Sequence, residues 1–357
     1  MRISPLQIGD LEVKVPIIQG GMGIGVSLSK LASAVANEGG IGVISGVQIG
    51  FREHDFKTNS KDANIRALKN EIRTARKLSP NGVIGLNLMV AMNNYEEMVT
   101  AAVDSGIDVI ISGAGLPTSL PKLIKGSNTK IAPIVSSGKA AKIMCKIWYE
   151  KHSYIPDFIV VEGPEAGGHL GFHLEELLDT KKPSLEEIVK DVIEVVKQYE
   201  DISRKKIPVI AAGGIYTGED IGKFLKLGAS GVQMGTRFIC TEECDADINY
   251  KRAFINATKE DINIIKSPVG LPGRAIKNKF IEKVQKDRET VDRCFNCLKK
   301  CNPNDTIYCI SKALINAAEG NIEEGLIFTG SNGYRMKEII TVRELMKELV
   351  REVMEYE

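Results

Sequence analysis

The sequence predicts a (β/α)8 barrel with a mostly helical C-terminal appendage, and three observations carry that expectation. Eight short apolar, β-branched runs alternate with helical patterns through the first two-thirds of the chain. They are continuous rather than alternating, as parallel strands buried on both faces require. The last two runs pass straight into glycine turns, Ile207-Pro-Val-Ile-Ala-Ala-Gly-Gly-Ile215 and Gly231-Val-Gln-Met-Gly-Thr-Arg-Phe238. In a barrel these are the places where backbone N–H groups collect to bind an anion. The 357 residues exceed the roughly 250 of a bare barrel and leave about a hundred for additions. A barrel over residues 1–257 and an appended helical segment over 258–357 is the division these patterns suggest.

Strands are expected at Val15–Gln19, Ile41–Ile44, Val83–Met89, Val109–Ile111, Ile131–Val135, Phe158–Val161, Pro208–Ala211 and Gly231–Met234. Between them lie helical stripes: Ile65, Leu68, Ile72 and Ala75, then Met98, Val99, Ala102 and Val103. Ser184 with Glu187, and Thr217 with Asp220, read as capping boxes that open two more. Residues 48–61 are polar, follow the second strand and form a candidate active-site loop.

Catalytic and binding groups belong at the C-terminal strand ends. Strand one runs into Gly20-Gly-Met-Gly-Ile-Gly25, where Gly21 lets a flat ligand approach the backbone and Met22 offers a polarisable surface. A dinucleotide fingerprint would need an acidic residue after strand two, which ends instead in Ser45. A merely tight turn is the alternative. Asn87, inside an apolar strand, must find a partner, either a heterocycle edge or a neighbouring loop. His169 lies in the glycine-rich stretch after strand six, where imidazole can take or give a proton near neutrality. His173 follows four residues on, but the glycines argue against the helix that would align both on a metal; His54 and His152 read as surface residues. Gly213, Gly214, Gly235 and Thr236 form a candidate phosphate cradle, with plain strand-to-helix geometry as the alternative. Gln233 could reach a ligand edge, and Arg237 either neutralises an anion or pairs with a carboxylate.

Composition narrows the class. The chain is 43% hydrophobic, 26% charged and formally +1, so it has no electrostatic footprint for nucleic acid or an anionic membrane. It has no apolar run long enough to span a bilayer and no signal-peptide pattern at the N-terminus. Seven cysteines, an odd number, fit the reducing cytoplasm better than a disulfide scaffold.

Six motifs in order, Pro16-Ile-Ile-Gln-Gly-Gly-Met22, Ala34-Val-Ala-Asn-Glu-Gly-Gly-Ile41, Gly85-Leu-Asn-Leu88, Ala166-Gly-Gly-His169, Ile207–Ile215 and Gly231–Phe238, resemble the nitronate monooxygenase (2-nitropropane dioxygenase) family. That group of FMN-dependent barrels also includes enoyl-[acyl carrier protein] reductase II. The resemblance covers about residues 14–240, with a weaker echo in Ser267-Pro-Val-Gly-Leu-Pro-Gly-Arg274. It implies that Gly21, Met22 and Asn87 lie against the flavin ring and that Gly168, Gly213, Gly214, Gly235 and Thr236 hold the phosphate. It also implies that His169 is the catalytic histidine. The expected substrate is a small molecule: an alkyl nitronate oxidised with O2, or an enoyl thioester reduced with NAD(P)H. A flavin-binding electron-transfer subunit is a further alternative, and a homodimer is the candidate assembly.

One departure stands out: Cys294-x2-Cys297-x3-Cys301-x7-Cys309 lies outside the core pattern of that family. Four cysteines this close can bind zinc or an iron–sulfur cluster, or can be plain reduced thiols, and the spacing matches no standard ferredoxin run. Cys240 and Cys244 read as structural.

Overall fold

A computed structural model describes residues 3–179 and 182–357. Eight parallel strands close into a barrel: β1 (Ile17–Gln19), β2 (Ile41–Ser45), β3 (Val83–Met89), β4 (Val109–Gly113), β5 (Lys130–Val135), β6 (Ile159–Glu162), β7 (Val209–Ala212) and β8 (Gly231–Met234). Pairing of Val232 with Ile17 joins the last strand to the first. β3 and β8 have the expected bounds. β1 and β7 begin later than expected because Pro16 and Pro208 lack the N–H a ladder needs.

The barrel interior is filled by Ile18, Ile41, Val43, Val109, Ile111, Phe158, Val160 and Ile210. An antiparallel hairpin, Leu6–Ile8 with Leu11–Val13, inserts Leu6, Ile8 and Val13 into the same cluster and so closes the end away from the functional mouth. Side chains of this size, fully buried, each stabilise the fold by about 1.5–3 kcal/mol.

Each strand is followed by one helix of the outer ring: α1 (Ser29–Asn37), α2 (Ser60–Leu78), α3 (Tyr95–Asp104), the single turn α4 (Leu120–Leu123), α5 (Gly138–His152), α6 (Leu185–Ser203), α7 (Gly218–Leu227) and α8 (Val342–Glu355). The two expected capping boxes form. Ser184 Oγ accepts from Glu187 N at 3.3 Å and Thr217 Oγ1 accepts from Asp220 N at 3.2 Å. Although α8 lies at the far end of the chain, it packs between α7 and α1 and buries Leu345, Leu349 and Val353 in the main core. Glu352 accepts the N–H of Gly218 at 2.6 Å, capping α7 from outside. Residues 239–341 are therefore a long excursion between the eighth strand and the eighth helix.

That excursion carries helices Ile248–Asn256, Lys279–Lys286 and Ile310–Ala318. It is less helical than the sequence suggests, because a hairpin of β9 (Ile262–Lys266) and β10 (Pro272–Ile276) precedes the second of them. β10 also pairs with Gly168–His169, so three strands form a small sheet over the barrel mouth. Its third strand comes from a loop far upstream, a pairing that local periodicity does not carry. Among the described residues, no helix is long and apolar enough to cross a membrane.

Candidate active site

The C-terminal strand ends and the excursion enclose a cavity of about 470 Å³, within the range of cofactor and substrate sites. Gly21, Met22, Asn87, Gly168, His169, Gly213, Gly214, Gln233, Gly235 and Thr236 all line it. The fold thus brings these ten residues of the strand ends together around one cavity.

On one side the glycine loop after β1 presents bare backbone. A Cβ on Gly21 would lie 2.4 Å from Cβ of Asn87, so only glycine lets the loop and that side chain share the space. Asn87 donates a long bond, 3.4 Å, to the carbonyl of Ile111, while among the described residues its carbonyl oxygen meets no partner. The Gln233 carboxamide has no protein partner among the described residues either. Two amides with unspent hydrogen-bonding capacity on the wall of a cavity suit the mixed donor and acceptor edge of a heterocycle.

On another side Gly213 and Gly214 adopt positive φ, +98° and +80°, so the turn after β7 presents backbone with no side chain. Asn332 Nδ2 donates to the Gly214 carbonyl at 2.7 Å, and Gly330 N–H donates to Thr236 Oγ1 at 2.8 Å. Residues 329–332 therefore form part of this wall. Arg237 does not line the cavity. Its guanidinium pairs with Glu348 at 3.1 Å and stacks over Tyr216, which settles its role as a carboxylate partner.

His169 sits on the three-stranded sheet opposite Gly273. Its Nε2 is 2.7 Å from Ser267 Oγ, and the ring meets Phe328 edge-on with centroids 4.9 Å apart. With Ser267 as acceptor, Nε2 carries the proton and the Nδ1 lone pair is left without a protein partner among the described residues. Burial lowers the imidazole from 6.5 to about 4, so the ring is neutral at physiological pH. Nearby, burial raises the Glu162 carboxyl to about 7. The Glu165 main chain is tied by Ser331 N–H at 3.1 Å, and Arg274 donates to the Ala166 carbonyl, so the 162–169 loop is held from the excursion side.

A titration follows from these shifts. The His169 imidazole signals should stay at their neutral positions in NMR spectra between about pH 8 and pH 5 and move only on approach to pH 4. The unfolded chain binds that proton near 6.5 whereas the native chain refuses it until about 4, so the stability is whole above 6.5 and declines as pH falls towards 4. Imidazole signals that titrate near 6.5 in the folded protein would contradict the buried setting.

The other candidates are placed as follows. His54 is exposed, and His152 is half-buried with Nε2 2.8 Å from the Thr118 carbonyl. His173 opens the short helix Leu174–Leu178. Gln48 lines the cavity, and so do Ser60 and Lys61, which belong to the first turn of α2 rather than to the expected 48–61 loop. Cys240 and Cys244 are buried thiols raised by burial to about 12 and about 11. Sequence reasoning passed over Ser267, Phe328 and residues 329–332. Only Ser267 carried a signal, as the first residue of the Ser267–Arg274 segment.

A closed parallel barrel with its cavity at the C-terminal strand ends defines a barrel enzyme, and the comparisons with known proteins place it among the flavoprotein oxidoreductases. The chain belongs to the nitronate monooxygenase family, whose model matches residues 4–352. It is 31% identical over 299 residues to a probable nitronate monooxygenase of Staphylococcus aureus, covering 77% of this chain and 78% of that protein. It is similar in structure to FabK from Thermotoga maritima, with a TM-score of 0.73 and 26% identity over 95% of this chain and 93% of that one. A nitroalkane oxidase from Streptomyces ansochromogenes shares the fold with a TM-score of 0.73 at 21% identity, covering 95% and 96% of the two chains.

Proposed function

We propose that this protein is an FMN-dependent nitronate monooxygenase that oxidises alkyl nitronates with O2 to carbonyl compounds and nitrite. The observation that carries the reading is His169: a neutral imidazole at the cavity, oriented by Ser267 and Phe328, with one ring nitrogen free of protein partners among the described residues. Nδ1 is then available to take the α-proton of a neutral nitroalkane, or to orient the anionic nitronate without carrying a charge of its own.

The lining fits FMN. The backbone of Gly20–Met22 would face the ring, the carboxamides of Asn87 and Gln233 would bond its polar edge, and Gly168, Gly213, Gly214, Gly235 and Thr236 would hold the phosphate. When bound, FMN supplies the electron transfer between substrate and oxygen that no side chain here can perform. The protein's share is to orient both partners, to exclude water under the three-stranded sheet and to hold the proton at His169.

The likeness to FabK from Thermotoga maritima favours a second reading, reduction of an enoyl thioester with NAD(P)H. Anaerobic bleaching of the bound flavin separates the two. Rapid bleaching by an alkyl nitronate, with NADH and NADPH inert, is the expected result. Rapid bleaching by a pyridine nucleotide with nitronate inert would overturn the first reading and establish the second.

A further inference from the structure

Residues 287–309, between the helices Lys279–Lys286 and Ile310–Ala318, contain no helix or strand beyond one isolated bridge from Leu298 to Met92. A stretch this long without its own secondary structure needs some other organiser. Cys294, Cys297, Cys301 and Cys309 all fall within it, all are unpaired by disulfides, and all four line one small cavity together with Val291, Leu298 and Ile310. We propose that these four cysteines ligate an iron–sulfur cluster in the wall of the active-site cavity.

Three observations support a cluster. First, no three of the four sulfurs fall within 4.8 Å of one another, whereas a single zinc ion with Zn–S near 2.3 Å needs all four about 3.8 Å apart. A polynuclear centre spreads its thiolates over separate iron atoms. The cavity, about 30 Å³, exceeds what one water-sized centre needs. Second, Asn296 N–H donates to Cys294 Sγ at 3.3 Å, the kind of contact that stabilises a cluster thiolate and tunes its potential. Cys309 also stands at the N-cap of the Ile310–Ala318 helix, where the helix dipole favours negative charge. Third, Arg293, Lys299 and Lys300 lie beside the cysteines in the sequence, a local excess of cations that suits a four-thiolate centre.

The same loop builds the active-site wall. Phe295, Asn296, Cys297, Leu298 and Ile310 line both the small cavity and the large one. Asn93 N–H bonds the Cys297 carbonyl at 3.2 Å, Ser60 Oγ bonds that of Phe295 at 3.2 Å, and Phe295 stacks on Phe56. Ligation would form four Fe–S bonds from iron and sulfide delivered as an assembled cluster, and would release the four thiol protons to solvent.

The test is metal analysis of the full-length protein purified without oxygen, and again after anaerobic reconstitution with ferrous iron and sulfide. Iron and acid-labile sulfide in equal amounts, with a cluster signal by Mössbauer spectroscopy, are expected. Cys301→Ser and Cys309→Ser should lose iron and sulfide together, with circular dichroism showing that the barrel persists. Stoichiometric zinc without sulfide would overturn the proposal, and so would wild-type protein that holds no metal after reconstitution. Neither readout depends on the reaction proposed for the flavin site, so the two readings fail separately.

Discussion

His169→Asn should lower kcat/KM for a neutral nitroalkane by about 10²–10⁴-fold, the range a positioned general base contributes, while a preformed nitronate loses far less. The reason lies in what the ring can do where it is held. Ser267 at 2.7 Å and the Phe328 edge fix its orientation, and its depressed proton affinity keeps it neutral, so it can accept a proton at any pH above about 4. Asparagine keeps a polar side chain in the site but cannot serve as a base. A nitronate needs no deprotonation, so the ratio between the two substrates isolates the proton transfer from mere orientation. Steady-state kinetics with freshly dissolved nitroalkane and with its pre-equilibrated anion provide the measurement. Equal losses on both substrates would show that His169 binds rather than deprotonates.

Gly42→Ala should have the largest effect on stability. Gly42 lies in β2, where the helix α1 packs directly on the strand: an added Cβ would meet the Ala32 carbonyl oxygen at 1.7 Å, its carbonyl carbon at 2.5 Å and its Cα at 2.7 Å. All three are backbone atoms, so no rotamer change relieves the overlap. The helix would have to lift away, exposing Leu31, Ala32 and Val35 of its buried face. Overpacking of this kind costs about 1–3 kcal/mol and more where backbone must move; a loss of at least about 3 kcal/mol is expected. Gly85→Ala in β3 is the matched control, since its Cβ meets side chains rather than backbone: Val43 at 3.1 Å, Ile41 at 3.5 Å and Val109 at 3.7 Å. Urea unfolding of the three proteins compares them, and a Gly42→Ala midpoint equal to that of the parent would refute the packing argument.

The barrel was legible because its strands are buried on both faces and read as continuous apolar runs, and because Pro, Gly and the capping boxes at Ser184 and Thr217 punctuate them. The N-terminal hairpin escaped notice although Leu6-Gln-Ile8 and Leu11-Glu-Val13 alternate about Gly9 and Asp10. Three-residue strands are too short for periodicity to stand out. Within the cavity, the residues at strand ends could be located because a barrel assigns them a place before any coordinates exist. Ser267 could not be placed from its neighbours, since it reaches His169 across 98 residues of sequence; nor could Gly330, which bonds Thr236 across 94. Those contacts exist only once β10 has paired with Gly168–His169, a tertiary event that no local pattern encodes.

The position of α8 has a consequence for how the chain acquires its shape. The eighth strand is synthesised about a hundred residues before the helix that covers it, and that helix must reach back to α1 at the opposite end of the chain. Contacts of such long sequence separation form late, because closing a large loop costs entropy before any burial offsets it. A nascent chain thus exposes the gap between α7 and α1 until α8 has emerged from the ribosome. The ring is sealed last, after the whole excursion that walls the cavity has been made.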